Sequence, residues 1–193
     1  MSRRHVPVGL GVAVLLCLPV LAHAQGNPIE LGIDASINRS ISDPSATTVL
    51  LPTGPLGGAL ITGANKSFRV GFFLSPTVSI EPAVSFILID PEGEGSSRVL
   101  GLGLGALFHF SGDPTGTQGY VRPFVGFDQL KSSGSDAENI ISVGAGIGVK
   151  LPVAKQLKTR LEVAYVHGFE NSDAFIPAQD IISFLFGFSF YTK

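Results

Sequence analysis

His167 is the side chain of this sequence that comes nearest to a catalytic arrangement. Glu170 and Ser172 follow it closely, so a base, an acid and a hydroxyl nucleophile lie on one short segment. A histidine near the end of an apolar strand is more often an amphipathic anchor, because its ring combines an apolar body with a polar tip. The segment therefore indicates catalysis only weakly, and we predict that the protein is not an enzyme.

The other signatures of site chemistry are incomplete. His109 has no second ligand at metal-binding spacing. The glycines alternate with apolar residues and precede no helical pattern, so they do not form a phosphate-binding loop. We therefore expect no catalytic residue, no cofactor and no metal site.

Charged residues recur on one side of an alternating apolar pattern, and they form the second candidate site. Five acids and four bases share this side: Glu30, Asp34, Arg69, Glu81, Arg122, Asp128, Lys150, Arg160 and Glu162. Isolated charges inside a narrow barrel are costly, so we expect them to pair into a structural network. Such a network would block solutes, while a selective pore or a proton path remains the alternative.

The alternation itself is clearest in the last segment, where Ile182, Phe184, Phe186, Phe188 and Phe190 alternate with small or less apolar residues. A period of two predicts a strand with one aromatic face. Similar patterns cover 29–41, 67–74, 78–89, 98–110, 119–129, 139–151 and 158–169. These segments predict about eight antiparallel strands of about ten residues, the length that a tilted membrane strand needs.

Two features leave this strand count open. Val49 to Leu51 and Ala59 to Thr62 extend a hairpin above the membrane or form an extra strand pair, which would give ten strands. Pro82 and Pro123 fall in the middle of predicted strands, where proline cannot donate to the hydrogen-bond ladder.

The orientation of the strands follows from the face opposite the apolar one. Gly101, Gly103 and Gly105 make a poor water-facing surface but suit the crowded interior of a barrel of about eight strands. The chain also has 15% charged and 45% hydrophobic residues, whereas soluble surfaces usually carry about 25–35% charge. We therefore predict a closed up-and-down transmembrane β-barrel with its apolar face toward lipid, the alternative being a soluble lipid-carrying barrel.

The N-terminal segment 1–24 has the features of a secretory signal peptide. Arg3 and Arg4 precede an apolar run from Val8 to Leu21, and Ala22-His23-Ala24 is a cleavage site. Cleavage removes Cys17, the only cysteine, and leaves residues 25–193 as one barrel domain. That domain has 11 basic and 15 acidic residues, a net charge of −4, so nothing in it attracts nucleic acid.

The chain resembles the small outer-membrane β-barrel family of Gram-negative bacteria, the OmpA-like transmembrane domain and its relatives. The signal peptide and three stretches carry the resemblance: 69–74 (RVGFFL) followed by 79–82 (SIEP), 120–126, and 187–190 (GFSF). The resemblance implies a cell outer-membrane location and a structural, adhesive or envelope-integrity role. It also implies a monomer, with outer-membrane lipid, lipopolysaccharide and the barrel assembly machinery as partners.

Some members of this family are enzymes that act on lipid A, which keeps a second function class open. His167 resembles the deacylase pattern, in which histidine is followed two residues later by serine and then by asparagine. Here Phe169 occupies the serine position, and Asn171-Ser172 follows in the reverse order. The third class is a narrow pore or a soluble carrier.

Overall fold

The computed structural model describes residues 28–42, 45–51, 54–56, 66–89, 97–113, 116–132, 137–171 and 177–192. The signal-peptide segment, Ala59 to Thr62 and Ser172 lie outside these residues. Within the described ranges the regular secondary structure consists of strands, and no helix is long and apolar enough to cross a membrane.

Eight long strands form the wall of the molecule, and two short ones supplement it. The long strands are β1 (Ile29–Ser40), β4 (Phe68–Ser75), β5 (Val78–Ile89), β6 (Ser97–His109), β7 (Gln118–Ser132), β8 (Glu138–Ala154), β9 (Leu157–Gly168) and β10 (Gln179–Tyr191). The short strands are β2 (Thr47–Leu51) and β3 (Gly54–Leu56). Successive long strands pair antiparallel, and β10 pairs with β1 from Glu30↔Tyr191 to Ser40↔Ile181. The predicted closed up-and-down β-barrel of eight strands is therefore confirmed.

The short strands settle part of the question about extra strands. β4 pairs with the first half of β1, and β2 pairs with the second half on the same edge, from Ser36↔Leu50 to Arg39↔Thr47. β3 then pairs with β2. Val49 to Leu51 thus belongs to an added strand pair, and its partner is Gly54–Leu56.

The two ends of the barrel differ in their connections. Pro76-Thr77 and Lys155-Gln156 make tight turns at one end, where β1 also begins and β10 finishes. A longer connection, 110–117, joins β6 to β7 at this same end, whereas β1, β5, β7 and β9 finish at the opposite end. We call these the turn end and the loop end.

Apolar side chains point away from the barrel axis. Phe184 and Phe186 expose 54% and 48% of their surface, whereas Leu185 between them exposes 4%. The same alternation runs through β6, where Leu100, Leu102 and Leu104 are exposed. The alternative of a soluble barrel with an apolar interior is therefore wrong, because the large apolar face is the outer one.

Both mid-strand prolines lie where the ladder to one neighbouring strand is interrupted. The β4–β5 ladder includes Arg69↔Ala83 and resumes at Phe72↔Ile80, so it skips the position opposite Pro82. The β6–β7 ladder likewise passes from Gly105↔Phe124 to Phe108↔Val121 around Pro123. On their other sides both prolines remain in register, with Leu104 and Ala145. A missing donor is tolerated at such gaps.

Candidate functional site

The nine charged residues singled out from the sequence all lie inside the barrel, where each exposes 7% of its surface or less. They come from six different strands, and the two-residue period places each on the inward face. The positions are Glu30 and Asp34 on β1, Arg69 on β4, Glu81 on β5, Arg122 and Asp128 on β7, Lys150 on β8, and Arg160 and Glu162 on β9.

Arg69 has the largest number of partners. Its Nε donates to Asp34 Oδ2 at 2.7 Å, and its Nη1 pairs with Glu30 and, at 3.2 Å, with Glu81. Its Nη2 donates to Ser189 Oγ at 2.7 Å. Every nitrogen of the guanidinium group therefore has an acceptor, as a fully buried cation requires.

Arg160 continues the chain of ion pairs across the lumen. Its Nη1 lies 2.7 Å from Glu81 Oε2 and its Nη2 lies 2.6 Å from Glu162 Oε2. Glu162 also accepts from Arg122 Nη2 at 2.5 Å and from the Tyr120 hydroxyl at 2.7 Å. Strands β4, β5, β7 and β9 are thereby joined through side chains as well as through the backbone.

Lys150 completes the set with a contact to Glu30 Oε2 at 2.5 Å. Eight of the nine residues are thus linked without a break, and we call these eight the lumen network: Lys150, Glu30, Arg69, Asp34, Glu81, Arg160, Glu162 and Arg122. The lumen network has four cations and four anions. The ninth residue, Asp128, pairs with Lys66.

Glycines on neighbouring strands make the room for these long side chains. A Cβ atom at Gly32 would overlap the Arg69 side chain, one at Gly146 would overlap the Glu162 side chain, and one at Gly105 would lie 3.2 Å from the Arg122 side chain. A Cβ atom at Gly187 would overlap the Asp34 carboxylate and come within 2.7 Å of the Ile33 carbonyl oxygen. The glycine face of the sequence is therefore the counterpart of its charged face.

We expect Gly187→Ala to destabilise the barrel by about 1–3 kcal/mol, the usual cost of overpacking a filled interior. Gly168→Ala is the matched control, because a Cβ there would meet nothing closer than 3.8 Å. Urea titration of both variants in lipid measures the difference. Equal stability of the two variants would show that the side chains around Gly187 can rearrange at little cost in free energy.

Two further lysines lie inside the barrel beyond the nine predicted residues. Lys66 was expected in the loop after β1, but it is buried and paired with Asp128. Lys158 Nζ donates to the Gln118 side chain and to the Gly116 carbonyl, both at 2.8 Å. The described interior thus holds six bases rather than four. Lys158 lies two residues before Arg160, on the same side of the alternating pattern, so the sequence could have assigned it to the interior. Lys66 comes before the alternating pattern begins, so the sequence carries no such indication for it.

The interior around the lumen network has a small cavity and an apolar cluster. A cavity of about 20 Å³ lies beside it, lined by Lys66, Asp34, Glu81, Gly103 and Phe124 among others, which is room for about one water molecule. Toward the loop end, Leu50, Ile87 and Val99 form a buried apolar cluster with Leu130 packed against it. The described interior therefore contains a charged layer and an apolar layer.

His109 lies in the lumen at the turn end. Its ring stacks on Phe73 at 5.4 Å, and its Nε2 is 3.2 Å from Ser79 Oγ. Among the described residues no group of three histidine, cysteine or acidic side chains is arranged to hold a metal ion.

His167 lies on the outer surface near the loop end, and its carboxylate partner comes from the adjacent strand. Its Nδ1 is 2.8 Å from Asp180 Oδ1, which also accepts from the Tyr165 hydroxyl at 2.5 Å. The expected neighbour Glu170 is exposed at the end of β9, and the ring of Phe169 packs edge-on against His167 at 5.0 Å. The sequence suggested a local acid, but the strand register places Asp180 opposite His167.

The fold is that of the small outer-membrane β-barrels, which confirms the predicted resemblance at the level of the fold. Neisserial surface protein A is similar with a TM-score of 0.57 at 11% identity, over 84% of this chain and 96% of that protein. The N-terminal barrel domain of OprF from Pseudomonas aeruginosa gives a TM-score of 0.48 at 16% identity, over 85% and 98%. OprG from Pseudomonas aeruginosa gives 0.48 at 10% identity, over 86% and 95%. No family model matches the sequence, and no curated protein sequence matches it significantly.

Proposed function

We propose that this protein is an integral outer-membrane barrel with a structural, adhesive or envelope-integrity role, and that the lumen network acts as a plug. The observation that carries the proposal is the unbroken series of ion pairs from Lys150 to Arg122, with a cavity of about 20 Å³ beside it. The exposed apolar surface and the barrel fold, which Neisserial surface protein A shares, support the location.

A permeating ion would have to pass the lumen network. The side chains of Arg69, Glu81 and Arg160 are 1% exposed or less, so their charges lack water to replace a broken contact. Separating buried partners is costly because each charge then remains desolvated. Free passage of solutes is therefore disfavoured, and the narrow pore is the weaker alternative.

Planar-bilayer recording of the purified full chain tests the plug. We expect no steady conductance above the leak of the membrane. Stable single-channel steps that disappear in Asp34→Ala or Arg122→Ala would contradict the plug, because they would place the ion path through the network itself.

The orientation of the barrel is a separate prediction. The long polar connections 42–66, 90–97, 131–138 and 170–179 should face the cell exterior, since β1 begins and β10 finishes at the turn end. Cysteines at Ser45, Ser96, Ser133 and Ser172 should react with an impermeant maleimide on intact cells. Cysteines at Thr115 and Lys155 should react only after the outer membrane is opened, and the reverse pattern would invert the topology.

A lipid-modifying enzyme is the second candidate, because the His167–Asp180 contact faces the lipid side of the barrel. The serine of the deacylase pattern is replaced by Phe169, so the arrangement lacks a nucleophile at that position. We expect lipid A incubated with the protein to keep its acyl chains. Acyl loss that is abolished in His167→Ala would move the protein to the enzyme class.

A further inference from the structure

The charged side chains on the outward face of the strands gather at the loop end of the barrel. They are Arg39, Arg98, Lys131, His167 and Asp180. At the turn end the outward positions of β6 and β10 are aromatic instead, with Phe108, Phe188 and Phe190 exposed. Charge on the described lipid-facing surface is therefore confined to the loop end, whereas exposed rings occur at both ends, since Tyr165 and Phe169 lie beside His167.

Arg98 and Lys131 form the most concentrated positive charge on this surface. They are directly opposite each other on β6 and β7, and both are exposed. Like charges in this cross-strand position repel and destabilise a sheet. Within the described residues no carboxylate pairs with either cation: five acids are buried in the lumen, Asp180 is bonded to His167 and Tyr165, and Asp113, Glu138 and Glu170 form no salt bridge with Arg98 or Lys131.

The surroundings of the pair match the border between apolar chains and polar headgroups. The next outward positions toward the turn end are Leu100 and Gln129, and then Leu102 and Phe127, with the leucines and the ring exposed. A guanidinium group donates two parallel hydrogen bonds to a phosphate, and an ammonium group adds a point charge. A phosphate between Arg98 and Lys131 would also remove their mutual repulsion.

We infer that Arg98 and Lys131 bind a phosphate group of an anionic lipid in the leaflet at the loop end. The inference rests on the proposed placement in a membrane and adds a defined lipid site to it. Carboxylates of the connecting segments, among them Glu94 and Asp136 in the sequence, are the competing partners.

The test titrates bisphosphorylated lipid A into the purified full chain in a neutral detergent and reads lipid occupancy by native mass spectrometry. Each basic residue near an anionic lipid surface contributes about a fivefold change in affinity, so Arg98→Gln/Lys131→Gln should weaken lipid A binding about 30-fold. Arg39→Gln is the matched control, because Arg39 lies at the same rim but donates to Thr47 and Ser45. It should change the affinity by no more than about fivefold, the effect of one charge at the same boundary and well short of that of the double variant.

Dephosphorylated lipid A should bind the unaltered chain as weakly as lipid A binds the double variant. Inorganic phosphate should not displace the lipid, because the apolar belt holds its chains. Equal lipid A binding by the double variant and the unaltered chain, or full displacement by inorganic phosphate, would overturn the inference. Outer-membrane residence is tested separately, by asking whether the protein stays in the outer-membrane fraction after a carbonate wash. The detergent assay does not depend on cellular location. Loss of lipid binding and loss of outer-membrane residence are therefore distinguishable results.

Discussion

Replacing Arg160 by alanine is expected to lower the free energy of unfolding by about 3–5 kcal/mol, the cost of leaving a buried charge without its partner. Arg160 is fully buried and bridges Glu81 and Glu162. Its removal leaves the lumen network with three cations against four anions. Glu81 and Glu162 keep Arg69 and Arg122 as partners, but the lumen network then carries one negative charge that no cation within the network balances.

The measurement is a urea titration of the barrel in lipid vesicles, followed by the shift in electrophoretic mobility between the folded and unfolded chain. Arg160→Met/Glu81→Gln removes both charges of one pair and leaves Arg69 with Glu30 and Asp34, so it should recover a large part of the loss, because neutral replacement of a buried pair is often tolerated. Lys155→Ala, in an exposed turn, should stay within about 0.5 kcal/mol. A loss below about 1 kcal/mol for Arg160→Ala would mean that water reaches the lumen network and relieves its charges.

The sequence predicts the two faces of the barrel well, because successive residues of a strand face opposite sides and this alternation can be read locally. Glu81 and Glu162 could be assigned to the interior by counting in twos from the apolar residues beside them. The same reasoning did not find Lys66, which belongs to the interior although it stands before the first residue of the alternating pattern. It also did not predict the apolar layer made by Leu50, Ile87 and Val99, because these residues come from three different strands and meet only in the folded barrel.

The partners of each charge could not be predicted from the sequence, because they depend on how the strands are arranged in the barrel. Lys150 and Glu30 lie on strands that are not adjacent, and they touch because the stagger of the strands brings both to the same height in the lumen. His167 shows the same limit on the outer surface. Its acid was sought nearby at Glu170, but the register of β9 and β10 brings Asp180 beside it.

Leu104→Arg is the strongest test of the outer surface, and we expect it to cost about 2–4 kcal/mol of barrel stability. Leu104 is 44% exposed and lies near the middle of β6, opposite Pro82 and Val125. A basic residue there would face the centre of the bilayer, where no headgroup or water solvates its charge. Leu100→Arg makes the same chemical change closer to the loop end and should cost only about 0–1 kcal/mol, because the side chain reaches the interface.

Gly103→Arg gives the complementary result on the inner face. Gly103 lines the cavity of about 20 Å³, and a Cβ there already lies 3.3 Å from the Lys66 side chain. An arginine has no room at this position, so the variant should fail to reach the folded electrophoretic form, whereas Leu104→Arg should fold with reduced stability. If Leu104→Arg were neutral in lipid while Leu104→Ala was costly, the exposed leucines of β6 would have to pack against protein, and the membrane orientation of the barrel would be wrong.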